Sequence, residues 1–335
     1  MLRAKASKDG GRLMPTRAYL YDATGTDKEV ALTAATVESL HDKQLLWVDI
    51  SEFEELELRQ VATTLRLNRD SLYTLLQAEH RPRLDNYGSY SQLNINAIQE
   101  TDGKYKVVEV DFILAPNLVI TVHRKPVSFL DSFDRRIKGD SDLGELDAAS
   151  FLASLLDWHI TSYFRLVEQL EKEVDKIDAH ALRPRHTRDL LKELASLRQR
   201  VAFVRRMLTP HREVYAAMAR PDFLSAEQSE SAAHFRVLTD RLERAIEAVE
   251  NARELLVGSF DMFTTQTTLR TNEVMKALTL VSFIWFPASV IVGITTMLLK
   301  APVNPVLTPG FWIMVASIVL VGVFTMLFAR WRNWI

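Results

Sequence analysis

Asp261 and Asn272 are eleven residues apart, close to three helical turns, so a helix through both carries a carboxylate and an amide on one face. Met275, Thr279, Phe286, Ser289, Gly293 and Thr296 fall near the same stripe. The chemistry that suits this set is the handling of hydrated ions rather than bond making. A ring of carboxylates draws cations to an opening, and an amide touches an ion's water shell. Hydroxyls add oxygens, and bulky apolar side chains close a wet path by dewetting. Such a stripe works only if the helix gathers with copies of itself around a water-accessible axis.

The elements that would position these residues are apolar and long. Residues 277–299 contain no charge and can cross a hydrocarbon core of ~30 Å at ~1.5 Å per residue. Lys300 and the stretch APVNPVLTPG follow, where prolines and a glycine stop the helix. A second charge-free run covers residues 311–329, and the chain ends RWRNWI. Arg270 and Lys276 flank the first run, and Arg330 and Arg332 flank the second, whereas the connection between carries only Lys300. The positive-inside bias therefore predicts two spans with both termini in the cytoplasm. Trp312, Trp331 and Trp334 suit interfacial belts.

Upstream the composition changes. The chain has 335 residues with a net charge of -2, which gives no basic face for nucleic acid. It has no cysteine, so disulfides and thiolate metal sites are excluded. The N-terminus lacks the apolar core of a signal peptide, and residues 1–16 read as a disordered tail. Residues 17–146 alternate strands with helices: RAYLYD, LLWVDI, SQLNINAIQ, VVEVDFILA and LVITVH are strands, and EFEELELRQVATTL and RDSLYTLLQ are helices. Asn117 after Pro116 predicts a tight turn between paired strands. No phosphate loop or nucleophile elbow is present, which leaves an enzyme without a site.

Residues 147–270 read as long helices. One spans about 147–182, and another spans about 187–220 with a kink at Pro210. A third starts near Ser225 and continues into the first span, with a packing seam of Phe235, Leu238, Leu242, Ala245, Val249, Ala252, Leu256, Phe260 and Phe263. Its charged residues, Arg241, Glu243 and Glu250 among them, suit a solvated outer face. His180, His186, His211 and His234 are scattered over these helices and read as surface residues.

The stretch TNEVMKALTLVSFIWFPASVIVGI at 271–294 resembles the first transmembrane helix of the CorA family of divalent-cation channels and transporters. HRPRLDNYGSYSQL at 80–93 and VDFILAPNLVITVHRKP at 110–126 resemble its N-terminal domain, and GFWIMV at 310–315 and RWRNWI at 330–335 are similar to its zinc-transporting ZntB-like branch. The resemblance implies an α+β membrane protein. A cytoplasmic α/β domain (17–146) and a helical stalk (147–270) lead into a pore-lining transmembrane helix 1 (271–299). An external loop (300–310), transmembrane helix 2 (311–329) and a basic cytoplasmic tail (330–335) follow. It implies a funnel-shaped homopentamer in the inner membrane that transports zinc, magnesium or both, with the cation as cargo and no cofactor. Matching the family's pore positions names Asp261, Asn272, Met275, Leu278, Phe286, Ser289 and Leu298, with Met275 and Leu278 as the gate. Where the family has Gly-Met-Asn at the outer pore entrance, this chain has Thr296, Met297 and Leu298. The altered signature, together with Phe286 in the pore, keeps open a second expectation: a non-conducting membrane scaffold or regulatory protein.

Overall fold

The strands of the computed structural model are β1 (Thr16–Asp22), β2 (Lys28–Glu29), β3 (Gln44–Ser51), β4 (Arg83–Asn86), β5 (Ser91–Thr101), β6 (Lys104–Ala115) and β7 (Leu118–His123). The helices are α1 (Ala34–Glu38), α2 (Glu55–Thr64), α3 (Arg69–Leu76), α4 (Ser128–Ile137), α5 (Ala148–Ala181), α6 (Thr187–Leu208), α7 (His211–Met218), α8 (Ala232–Leu298) and α9 (Pro309–Trp331). The structure describes residues 16–22, 27–41, 43–77, 81–101, 103–137, 147–181, 187–220, 223, 231–298 and 309–331. The tail expected over residues 1–16 lies outside them except for Thr16, which opens β1 because it pairs with Ile50 of β3, and so do most of the 300–310 connection and residues 332–335. Contacts divide the chain into two units, Met1–Val257 and Gly258–Ile335.

In the first unit the strands form one mixed sheet in the order β2-β1-β3-β7-β6-β5-β4. Only β3 and β7 run parallel, with Val48 opposite Ile120; the other pairs are antiparallel. Every residue of β7 is buried, which explains its unbroken apolar and β-branched sequence. Asn117 makes the expected turn between β6 and β7 at φ 45°, a left-handed conformation that asparagine tolerates. On one face Val48, Ile113, Ile120 and Val122 pack with Leu58 of α2 and Leu75 of α3. On the other, Trp47 meets Phe133 of α4 and Phe151 of α5, with ring centroids 6.0 and 5.7 Å away.

Helices α5, α6 and α7 are secured to the sheet at the edge of β5. Strand β4 pairs with β5 only as far as Asn94, so the edge beyond has backbone groups to satisfy. His211 Nε2 accepts from the Asn96 N–H at 3.0 Å. The Asn96 carbonyl accepts from His159 Nε2 at 2.9 Å and from the Tyr163 hydroxyl at 2.7 Å. His159 Nδ1 faces the Tyr215 hydroxyl at 3.1 Å, and His211 Nδ1 faces the Leu208 carbonyl at 3.0 Å. All four nitrogens are thus used by neutral rings, and burial lowers the pKa of His159 to about 4 and that of His211 to about 3, the latter helped by its neighbour's charge. His211, expected at the surface, is fully buried; His234 is exposed as expected, and the His180 and His186 side chains lie outside the described residues.

Pro210 does more than kink a helix: α6 ends before it and α7 begins after it. The seam of α8 is buried from Phe235 to Leu256, while Phe260 stays half exposed. Its charged face is less solvated than expected, because Arg241 pairs with Asp157 of α5, Arg212 of α7 with Glu243, and Arg205 of α6 with Glu250. The second unit holds the rest of α8 together with α9, and both helices are long and apolar enough to cross a membrane. The fold is an α/β soluble part, a long helix and two apolar helices, as the sequence predicts.

Candidate functional site

Asp261, Asn272, Met275, Leu278, Thr279, Phe286, Ser289, Gly293, Thr296, Met297 and Leu298 all fall on α8 within the second unit. At ~100° of rotation per residue, Asp261, Met275, Thr279, Phe286, Gly293 and Met297 lie within about 60° of Asn272. Ser289 lies outside this stripe, about 100° from Asn272, and Leu278 and Thr296 stand at about 120°. The Leu298 side chain lies outside the described residues. Asn272, Met275 and Thr279 share a shallow concavity with Leu269, Glu273 and Lys276.

Among the described residues nothing covers the stripe. Met275 is 57% exposed, Phe286 74% and Met297 92%, and nothing stands within 4 Å of where a Cβ on Gly293 would lie. A long apolar surface of this kind is covered only by lipid or by another helix.

The hydroxyls follow a consistent pattern. Thr264, Thr268, Thr279, Ser282 and Ser289 donate to the carbonyls of Asp261, Thr264, Met275, Leu278 and Trp285, at 2.9, 2.9, 2.7, 2.9 and 2.8 Å. Thr296 does the same to Gly293 at 2.9 Å. Each proton is spent inside the helix, so the oxygens turn only lone pairs outward. A row of pure acceptors complements the water shell of a cation, whose protons point away from the ion. Pro287 adds to this by removing the N–H that the Phe283 carbonyl would otherwise receive.

Thr264, Thr268 and Ser282 belong to this row but were not among the residues expected from sequence. For Thr264 and Thr268 the signal was present in the TTQTTLRTN run, where hydroxyls recur at three- and four-residue steps. Among the described residues no group of three or more His, Asp or Glu could hold a metal ion directly. The single chain therefore offers outward-facing acceptors rather than a dehydrating cage.

The chain is similar to known proteins over most of its length. The sequence model of the family described as "CorA-like Mg2+ transporter protein" matches residues 42–330. The cobalt/magnesium transport protein CorA of Thermotoga maritima is 22% identical over 293 residues, covering 86% of this chain and 83% of that protein. The zinc transport protein ZntB of Pectobacterium atrosepticum is 22% identical over 235 residues, covering 67% of this chain and 68% of its own. The solved complete structure of the CorA magnesium transporter from Methanocaldococcus jannaschii superimposes with a TM-score of 0.79 at 20% identity, over 97% of this chain and 100% of that one.

Proposed function

Because this chain belongs to the CorA family, whose model matches it over residues 42–330, we propose that it passes hydrated divalent cations, magnesium or zinc, across a membrane along an axis lined by α8 from five copies. The family is one of transporters, so the chain is not an enzyme, and the cation is cargo that calls for no cofactor. The observation that carries the reading is the exposed stripe through Asn272 and Thr279, flanked by Ser282 and Ser289, with the hydroxyl protons of Thr279, Ser282 and Ser289 already spent.

Each residue of the stripe has a physical task. The Asp261 carboxylates, one from each copy, concentrate cations at the cytoplasmic mouth. Asn272 presents amide oxygens to the water shell, and the hydroxyl row continues that contact inward. Magnesium gives up water reluctantly, so acceptors that bind the shell rather than the ion suit it. Zinc tolerates partial dehydration and is the ion named for the ZntB relative. Met275 and Leu278 form an apolar ring that closes when it dries, and Phe286 forms a second one. Gly293 adds no side chain to the stripe, and Thr296, Met297 and Leu298 stand at the outer entrance in place of Gly-Met-Asn.

The segments take their places accordingly. The α/β domain (17–146) and the helical stalk (147–270) lie in the cytoplasm. Residues 271–299 and 311–329 cross the inner membrane, 300–310 face outward, and 330–335 return to the cytoplasm. The charges at Arg270, Lys276 and Arg330 support this orientation. A non-conducting scaffold is favoured by one observation, the bulk of Phe286 on the stripe next to an entrance that lacks the signature asparagine. Flux of magnesium and zinc into liposomes containing the purified protein decides between the two. The proposal expects uptake of at least one of the ions above protein-free liposomes, and no uptake of either favours the scaffold.

A further inference from the structure

His123, His159 and His211 are all buried, but the first differs in what its ring meets. His159 and His211 each have one nitrogen facing a group that can donate, the Tyr215 hydroxyl and the Asn96 N–H. His123, at the end of β7, faces acceptors on both sides. Its Nδ1 lies 2.7 Å from the Lys125 carbonyl, which can only accept, so Nδ1 carries a proton. Its Nε2 lies 3.1 Å from Asp49 Oδ1 on the neighbouring parallel strand β3. The same oxygen accepts from the Thr121 hydroxyl, and the Thr121 oxygen accepts from Trp47 Nε1 at 3.2 Å. An indole N–H only donates, so the threonine proton is committed to Asp49. A neutral ring would then set a bare Nε2 lone pair against the carboxylate. The arrangement closes only with one more proton between Nε2 and Oδ1.

The pair ties three segments together. Asp49 belongs to β3, His123 to β7, and Lys125 to the connection that leads into α4. The His123 carbonyl also accepts from the Glu52 N–H at 3.1 Å, where the chain leaves β3. Helix α4 in turn sets Phe129 against His159 and Phe133 against Trp47 and Phe151. Other charges surround the ring. Asp131 of α4 favours a proton there through its field. Arg124 donates to the Leu76 carbonyl at 2.7 Å and lies over the Phe53 ring. Lys125, together with Glu109 and Asp111 of β6, lines a cavity that His123 also borders. On α5, which packs against β7, Asp157 pairs with Arg241 and burial keeps His159 neutral. Burial is the largest single influence on His123 and lowers its pKa. The Asp49 hydrogen bond and charge, the Lys125 carbonyl and the Asp131 charge outweigh it, so the pKa stands above the ordinary 6.5.

We propose that His123 and Asp49 hold one buried proton as an imidazolium–carboxylate pair, and that this proton is a pH-sensitive clasp joining β3 and β7 to the connection that starts α4. The clasp is closed at full strength below the ordinary histidine value of ~6.5. As pH rises from there through the higher pKa of the folded ring, the proton leaves and its stabilisation is lost. Nε2 and Oδ1 then face each other without a donor, and the connection loosens. The sense is opposite to that of His159 and His211, whose burial weakens the fold in acid. The clasp lies in the α/β part of one chain, and it works whether or not the protein conducts.

Solid-state NMR of the full-length protein in liposomes, with labelled histidine nitrogens and lysine carbonyl carbons, reads the proton directly. The His123 ring is assigned through the dipolar contact of Nδ1 with the Lys125 carbonyl carbon. At about pH 7 both its nitrogens are expected at protonated shifts, and an unprotonated Nε2 would overturn the proposal. Hydrogen exchange reads the clasp. After division by intrinsic rates, opening of the amides between Arg124 and Leu130 is expected to rise by up to about tenfold per pH unit above ~6.5. Asp49→Asn keeps the shape of the site and offers an N–H to Nε2, so a neutral ring is satisfied and opening should no longer vary with pH. A flat response in the parent would overturn the clasp, and so would the same rise in parent and Asp49→Asn. The NMR arm and the parent's own exchange profile decide the matter even if Asp49→Asn does not fold.

Discussion

The two units of this chain use the same residue types for opposite ends. In the first, Trp47, Phe112, Phe151 and Tyr163 are buried, and the backbone of a bare strand edge is met by histidine and tyrosine side chains. In the second, Met275, Trp285, Phe286 and Phe324 are more than half exposed, and the hydroxyls turn back on their own helix. A region that satisfies its own polar and apolar groups carries its stability within one chain. A region that leaves an apolar face and a row of acceptors uncovered has its partners elsewhere, in lipid and in further copies. The contrast makes stability a property of the first unit and, on the proposed reading, leaves ion passage to the second.

The largest expected effect is in the core of the first unit. Phe151 is fully buried against the rings of Tyr21, Trp47 and Phe133, at 5.8, 5.7 and 5.5 Å. Phe151→Ala is expected to lower unfolding stability by about 3–5 kcal/mol in denaturant titration of the detergent-solubilised protein. Phe324→Ala, on the exposed surface of α9, is expected to leave that transition unmoved. A comparable loss from both variants would erase the distinction between the units.

Acid provides the next largest effect. With His159 lowered to about 4 and His211 to about 3, the unfolded chain takes up protons below its ordinary histidine pKa of ~6.5 that the folded chain refuses. Stability therefore falls as pH drops from about 6.5 toward those values, by up to about 1.4 kcal/mol per pH unit for each ring. Burial raises the Asp111 carboxyl to about 7 against the pull of the Asn94 and Gln92 amides, so it titrates in the opposite sense. Its contribution cancels when the parent is compared with His211→Gln, whose acid slope should be shallower by about 1.4 kcal/mol per pH unit. Parallel slopes would remove His211 from the account.

How much of this was legible in the sequence depended on how local its causes were. Strands β6 and β7 are rich in β-branched residues, β3 holds the apolar run LLWV, and α8 follows a three- and four-residue apolar step, so these showed directly. Strand β4, with the sequence RLDN, has one apolar residue and is a strand because β5 pairs with it. His211 looked like one more polar residue on a charged helix; its burial depends on Asn96, 115 residues earlier in the chain. The stripe from Asp261 to Gly293 was readable from helical spacing alone. One helix cannot show which of its exposed faces meets water, because that choice belongs to the copies around it.

A smaller effect tests that choice at the gate. Met275 is 57% exposed, so Met275→Ala should leave unfolding nearly unchanged and raise magnesium or zinc flux several-fold by widening the apolar ring. Unchanged flux would place Met275 against lipid instead of the axis and would move the closing ring to Leu278 or Phe286.

The smallest expected effect is at Asp261, and it is the one most sensitive to conditions. The residue is exposed on α8, eleven positions before Asn272 and on the same face. Around an axis, five such carboxylates would raise the local cation concentration, and Asp261→Asn would abolish that field without altering helix packing. The field reaches ~30 Å at ~0.01 M salt and only ~3 Å at ~1 M. Cation capture by Asp261→Asn should therefore fall by about two- to threefold at low ionic strength and match the parent at high. A loss that persists at high salt would mean that Asp261 contacts the ion's shell directly. No loss at either would mean that the carboxylate faces away from the axis, and the stripe through Asn272 would have to be rotated accordingly.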